Sequence, residues 1–140
     1  MNLASKDMLL GYELPSLSKT VTQDRVDAFG RHARHPEDNI HTNEKYALSA
    51  GFPGTLVQGL LMYALVSQFL MGFFGRTWLT SGKVAMSFTK PVLSGKSLSV
   101  KAVIKEKAPE DSGVRIGLDV WCENEDGERV LTGTASALAQ

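Results

Sequence analysis

From residue 55 to residue 74 the chain carries no charged side chain, and most of the stretch is apolar. Such a run is either buried or crosses a membrane, because about 20 apolar residues suffice to span a bilayer. Gln58, Ser67 and Gln68 interrupt it, glycine and proline crowd its entry at Gly51-Phe52-Pro53-Gly54, and the rest of the chain reads as soluble strands. The expectation is therefore a buried central helix from 55 to about 73, capped by Thr55. Leu56, Leu60, Leu61, Ala64, Leu65, Phe69, Leu70 and Phe73 cover more than one stripe of it, as in a helix buried nearly all round. A helix apolar on so many faces needs a sheet that wraps it rather than one flat contact.

Such a sheet is written into the second half, where the hydrophobic period changes to two. Val84, Met86 and Phe88 alternate ahead of Lys90-Pro91; Leu98, Val100, Ala102 and Ile104 alternate again; Val114, Ile116, Leu118, Val120 and Cys122 form a third run. A fourth begins at Val130 and ends at Leu138. Turn residues separate them at Ser94-Gly95-Lys96, at 109–113 and at 124–127, which predicts four consecutive strands in an antiparallel meander.

The first half is shorter-ranged. Residues 11 to 21 alternate after Pro15 and suggest an edge strand. Thr22 is a good N-cap for a short helix ending near Gly30, with Val26 and Phe29 on one face. Residues 31 to 40, with Pro36 among them, read as a loop. Thr42 is the expected cap of a second short helix stopped by Gly51.

The chain of 140 residues fits a single domain over 1–140 and has an ordinary globular composition, 43% hydrophobic and 21% charged. Lys plus Arg and Asp plus Glu both number 15, and no basic stripe appears, so neither nucleic acid nor an anionic membrane is an expected partner. The start lacks the basic and apolar regions of a signal peptide. One cysteine, Cys122, permits no internal disulfide and fits a reducing, cytoplasmic setting; with His32, His35 and His41 scattered, a cysteine-rich zinc site is excluded too.

A polar cluster, Asp38-Asn39-Ile40-His41, stands just upstream of the apolar helix, whose entry carries Gly59. Backbone N–H groups in a helix's first turn lack intrahelical acceptors and face the positive end of its dipole, so Gly59 can receive a carbonyl oxygen while His41 handles a proton. The plainer reading makes His41 a loop histidine bonded to a carbonyl. Asp38 is a candidate carboxylate beside it or a turn former, and Glu37 reads as surface. His32, Arg34 and His35 read as a solvated loop face, the alternative being contacts to a phosphate. Ser67 either serves the site or bonds back to its own helix. Cys122 is a strand residue, not a nucleophile.

Taken together, the loop ending Ile40-His41, the buried helix with Gly59, the strand end Phe88-Thr89-Lys90-Pro91-Val92 and the strand start Gly95-Lys96-Ser97-Leu98 resemble the MaoC-like acyl-CoA hydratase/dehydratase group of the hot-dog fold, over nearly the whole chain. The resemblance implies an α+β hot-dog: a curved antiparallel sheet of about five strands wrapped round one long helix, with short helices before it, paired as a homodimer or with a second hot-dog chain. It implies a lyase that adds or removes water at an α,β-unsaturated acyl thioester. Coenzyme A or a carrier protein would enter as part of the substrate, and no separate cofactor is called for.

In that family the motif runs Asp-x-Asn-Pro-Ile/Leu-His. Carried over residue by residue, His41 matches the catalytic histidine, Ala47 a helix alanine, Gly59 the carbonyl-binding glycine and Ser67 a serine that bonds the acidic residue. The departure is at the acid. Aligned without gaps, it falls on Pro36, with Asp38 in place of the motif's Asn and Asn39 in place of its Pro. Either Asp38 or Glu37 supplies the carboxylate, or the chain is a non-catalytic hot-dog subunit or acyl-binding partner; a hot-dog thioesterase is the further alternative.

Overall fold

The alternating segments form one five-stranded antiparallel sheet, in a computed structural model that describes residues 4–139. In chain order the elements are β1 (Leu17–Thr20), α1 (Gln23–His32), α2 (Glu44–Ser49), α3 (Gly59–Phe74), α4 (Arg76–Ser81), β2 (Lys83–Phe88), β3 (Ser97–Glu110), β4 (Gly113–Glu123) and β5 (Arg129–Ala139). Their order across the sheet is β1-β3-β4-β5-β2, so β1 lies at an edge as expected. Only β3, β4 and β5 form a meander; β2 pairs with β5 at the far edge, which corrects the expected run of four neighbours. The reason is the connector between β2 and β3, which crosses in front of α3. Val57 donates to the Val92 carbonyl at 2.8 Å, Ser94 to that of Thr55 at 2.9 Å, and Leu56 bridges Leu93.

Those pairings also move the start of the long helix. Thr55 does not cap it: its hydroxyl bonds Gln23 Oε1 at 2.6 Å and Ser94 at 2.7 Å, and residues 55–57 run extended against the connector. The helix begins at Gly59 behind Gln58, which makes no side-chain cap bond. The second short helix is likewise capped by Asn43, whose side chain accepts from the Tyr46 N–H, because the Thr42 hydroxyl already accepts from Asn39. Thr22 does cap α1, accepting from the Arg25 N–H. The short helix α4 carried no clear signal in the sequence.

The period-two residues put Leu98, Val100, Ala102 and Ile104 of β3, Ile116, Leu118, Val120 and Cys122 of β4, and Ala135, Ala137 and Ala139 of β5 on the buried face. Against them α3 packs Met62, Leu65, Val66, Phe69, Leu70, Phe73 and Phe74. A register shift between Ile104 and Glu106 marks a bulge, which bends a strand and sharpens its twist. Burial of α3 is less complete than the sequence suggests: Leu60 is 68% exposed, and Tyr63 and Ala64 also face outward. No helix among the described residues is long and apolar enough to cross a membrane.

Candidate active site

The loop between α1 and α2 is built around one amide. Asn39 Oδ1 accepts the backbone N–H groups of His41 and Thr42, at 2.8 and 2.9 Å, while its Nδ2 donates to the Pro36 carbonyl and the Thr42 hydroxyl, both at 2.7 Å. An asparagine that closes a turn over its own backbone in this way competes with helix formation, which is why the chain stays irregular here. Among the described residues the buried polar side chains are Asn39 and Gln58, and both belong to this site.

The turn delivers His41 to the start of α3. Leu56 donates its N–H to the Ile40 carbonyl at 3.0 Å, and the Leu56 carbonyl meets His41 Nδ1 at 2.9 Å. A carbonyl only accepts, so Nδ1 carries the proton and the neutral ring presents the lone pair of Nε2. That is the tautomer of a general base held by its far nitrogen. Gln23 adds a second tie, donating from Nε2 to the His41 carbonyl at 3.1 Å.

Three residues past Leu56 stands Gly59, the first residue of α3, whose N–H has no acceptor within the helix. The glycine has a steric reason as well. A Cβ built there would lie 3.2 to 3.4 Å from three atoms of the Phe88 ring, so the aromatic ring rests directly on the helix start. Phe88 is 49% exposed, and with Val57, Met62, Lys90 and Val92 it lines a shallow cleft beside Gly59.

The other residues singled out by the sequence are not brought to this point. Asp38 is exposed, and its carboxylate accepts from Asn43 Nδ2 at 3.5 Å; it makes no hydrogen bond or ion pair with His41. The Glu37 side chain is exposed and its carbonyl also accepts from Asn43. Ser67 lies more than two turns along α3 from Gly59, and its hydroxyl accepts the Trp78 Nε1–H at 3.1 Å. Ala47 is fully buried. Among the described residues no group of three His, Cys, Asp or Glu side chains is arranged to hold a metal ion.

The family model for the MaoC like domain matches residues 14–120. The chain belongs to the MaoC-like family. No curated protein sequence matches it, but solved structures do. It is similar to the (R)-hydratase from A. caviae involved in PHA biosynthesis, with a TM-score of 0.79 at 20% identity, covering 97% of this chain and 100% of that one. It is similar to the R-hydratase PhaJ1 from Pseudomonas aeruginosa, with a TM-score of 0.81 at 22% identity, covering 99% and 86%. It is also similar to the ChsH1-ChsH2 complex from Mycobacterium tuberculosis, with a TM-score of 0.76 at 17% identity over 94% and 98%. At these identities the likeness shows the fold: this MaoC-like chain is a hot-dog protein.

Beside His41 this MaoC-like chain places a second histidine that the sequence reading set elsewhere. His35, read as part of a solvated loop face, is half-buried and stacks on His41, with ring centroids 5.2 Å apart and planes 30° from parallel. His32 and Arg34 do stay exposed. Gln58 was also passed over, as an interruption of an apolar run. Its Nε2 donates to the Val26 carbonyl at 2.9 Å and locks α1 to the start of α3. No sequence signal marked either residue; what admits the His35 ring is the burial of Gly30, five residues before it. A Cβ there would meet Thr42 Cγ2 at 2.9 Å and His35 Cδ2 at 3.2 Å.

Proposed function

We propose that this MaoC-like protein is a hydratase/dehydratase acting on an α,β-unsaturated acyl thioester carried by coenzyme A or a carrier protein. One observation carries the reading: His41, fixed through Nδ1 to the Leu56 carbonyl, presents a free Nε2 beside the helix start whose first N–H belongs to Gly59. Hydration needs a base for water and a donor for the enolate oxygen. His41 Nε2 takes a proton from water as the water oxygen bonds the β-carbon. The electron pair of the double bond moves toward the thioester, and its oxygen is received by the Gly59 N–H. A proton then closes the α-carbon; dehydration is the reverse. A general base of this kind is worth about 10²- to 10⁴-fold, and an oxyanion donor about 3 to 4 kcal/mol. Acid-base groups and a backbone donor suffice, so the chemistry calls for no resident cofactor. Asp38 and Ser67, engaged with Asn43 and Trp78, support the loop and the helix in this reading.

The test is to incubate the protein with crotonyl-CoA and longer enoyl-CoAs and follow loss of the conjugated absorbance. Hydration without release of free thiol is the expected result, and thiol release in its place identifies a thioesterase. Pro36 favours one second reading, a subunit that binds acyl-CoA and turns over only beside another hot-dog chain. The similar ChsH1-ChsH2 structure is a complex of two named components. Binding without turnover, together with capture of an Asp-containing hot-dog partner, would select that reading.

A further inference from the structure

We propose that Gln23 is a positioning residue for His41: its side-chain amide spans the gap that the imidazole bridges and keeps the ring proton on Nδ1. The consequence for rate rests on the hydratase reading; the consequence for the ring does not.

The His41 ring is held between two segments. Leu56 donates its N–H to the Ile40 carbonyl at 3.0 Å, and His41 Nδ1 donates to the Leu56 carbonyl at 2.9 Å, so the turn ending at His41 faces the extended run 55–57 across these bonds. Counting antiparallel from Ile40 and Leu56, the next opposed residues are His41 and Thr55. The Gln23 amide bridges that pair. Its Nε2 donates to the His41 carbonyl at 3.1 Å, and its Oε1 accepts the Thr55 hydroxyl at 2.6 Å.

Two more bonds fix which way the amide points. Asp27, one turn along α1, accepts from Nε2 at 2.8 Å, and the Ser94 hydroxyl donates to Oε1 at 2.5 Å. A backbone carbonyl only accepts and a carboxylate accepts, so the amide nitrogen faces His41 and Asp27 and the oxygen is left for the two hydroxyls. Both donors and both acceptor positions are then filled, and turning the amide over would set oxygen against oxygen.

Packing of α1 does not depend on this amide. Thr22 caps the helix, the Val26 side chain is fully buried, and Gln58 Nε2 already ties the Val26 carbonyl to the start of α3. What Gln23 adds is the width of the gap at His41. Should that gap open, the bond from Nδ1 to the Leu56 carbonyl weakens and the neutral ring is free to carry its proton on Nε2 instead. In that form Nε2 has no lone pair to offer water.

The experiment compares wild-type protein with Gln23→Leu, which removes the amide, and Gln23→Glu, an isosteric change that keeps the acceptor for Thr55 and Ser94 but loses both donations. Two-bond proton–nitrogen correlations in NMR separate the two neutral forms of each imidazole and need no substrate. Wild-type His41 is expected in the Nδ1–H form, and both variants should show a measurable share of the Nε2–H form. With crotonyl-CoA, kcat should fall about 10- to 10²-fold in both, with KM within about threefold. Denaturant unfolding supplies the contrast. A loss of stability with His41 still in the Nδ1–H form marks a purely structural amide and overturns the proposal, as does a wild-type kcat in Gln23→Leu. Should Gln23→Leu fail to fold, Gln23→Glu carries both readings. Absence of turnover in wild-type protein sinks the hydratase reading, and the tautomer measurement still decides the role of Gln23.

Discussion

The Asn39 side-chain oxygen accepts the backbone N–H of His41 at 2.8 Å, and through that bond the loop sets where the imidazole leaves the main chain. The same oxygen accepts from Thr42, so Asn39→Ala strips an acceptor from two N–H groups in a partly buried turn. Each unsatisfied group costs about 1 to 3 kcal/mol. We expect Asn39→Ala to lower unfolding stability by about that amount and hydratase turnover by at least about tenfold. Asn39→Asp keeps the acceptor but loses both Nδ2 donations, to Pro36 and Thr42, and is expected to fall between. Denaturant unfolding and steady-state rates check both variants. Full activity in Asn39→Ala would show that the turn does not position His41.

Gly59 and Phe88 form a second pair whose coupling is measurable. In Gly59→Ala the new methyl meets the Phe88 ring at 3.2 to 3.4 Å, close enough to push the ring or tilt the first turn of α3. In the proposed mechanism a tilt moves the N–H away from the developing oxyanion, and loss of such a donor costs about 10²- to 10³-fold in kcat. Gly59→Ala is expected to show much of that loss. Adding Phe88→Leu should recover part of it by giving the methyl room, a coupling that a double-mutant cycle on kcat reads directly. Additive effects would separate the two residues.

How legible the site was depended on range. His41 and Gly59 could be picked out because each carries a local cue, a histidine closing a polar turn and a glycine at the entry of an apolar run. The period-two runs of β3 and β4 were equally local, and Leu98 to Ile104 and Ile116 to Cys122 came out buried at alternate positions, whereas Phe88 of β2 is 49% exposed and Leu138 lies off the buried face of β5. Positions decided by distant pairing were not legible. Thr55 has the ideal chemistry for an N-cap, yet Gln23 and Ser94 claim its hydroxyl and the 92–93 connector claims the backbone that follows. The same connector carries the chain from β2 to the other side of the sheet. His35 was hidden for a related reason: its ring is turned inward by a backbone angle at Arg34 and by a space at Gly30, neither of which composition reveals.

Ser67 gives a prediction that separates packing from catalysis. Its hydroxyl receives the Trp78 indole N–H, which ties α3 to α4. In Ser67→Ala that donor loses its partner, at a cost of about 1 to 3 kcal/mol. We expect a stability loss of that size with kcat lowered no more than stability explains, and Trp78→Phe, which has no N–H to satisfy, should cancel the effect of the serine change. A large fall in kcat with unchanged stability would return Ser67 to the active site.

Cys122 lies on the buried face of β4, and burial pushes its thiol from 9.0 up to about 12. At neutral pH it is therefore a protonated packing group, and thiolate chemistry is closed to it. The linkage follows in sign. The folded state holds the thiol proton more tightly than the unfolded state, so this contribution to stability is fully present below pH 9 and is lost as pH rises toward 12. Two measurements check it. An aromatic disulfide reagent at pH 8 should leave the native protein unlabelled and react fully in denaturant. Between pH 9 and 11 unfolding free energy should fall more steeply in wild-type protein than in Cys122→Ala, because only the thiol differs between the two. Equal slopes would mean that the thiol titrates alike in the folded and unfolded chain.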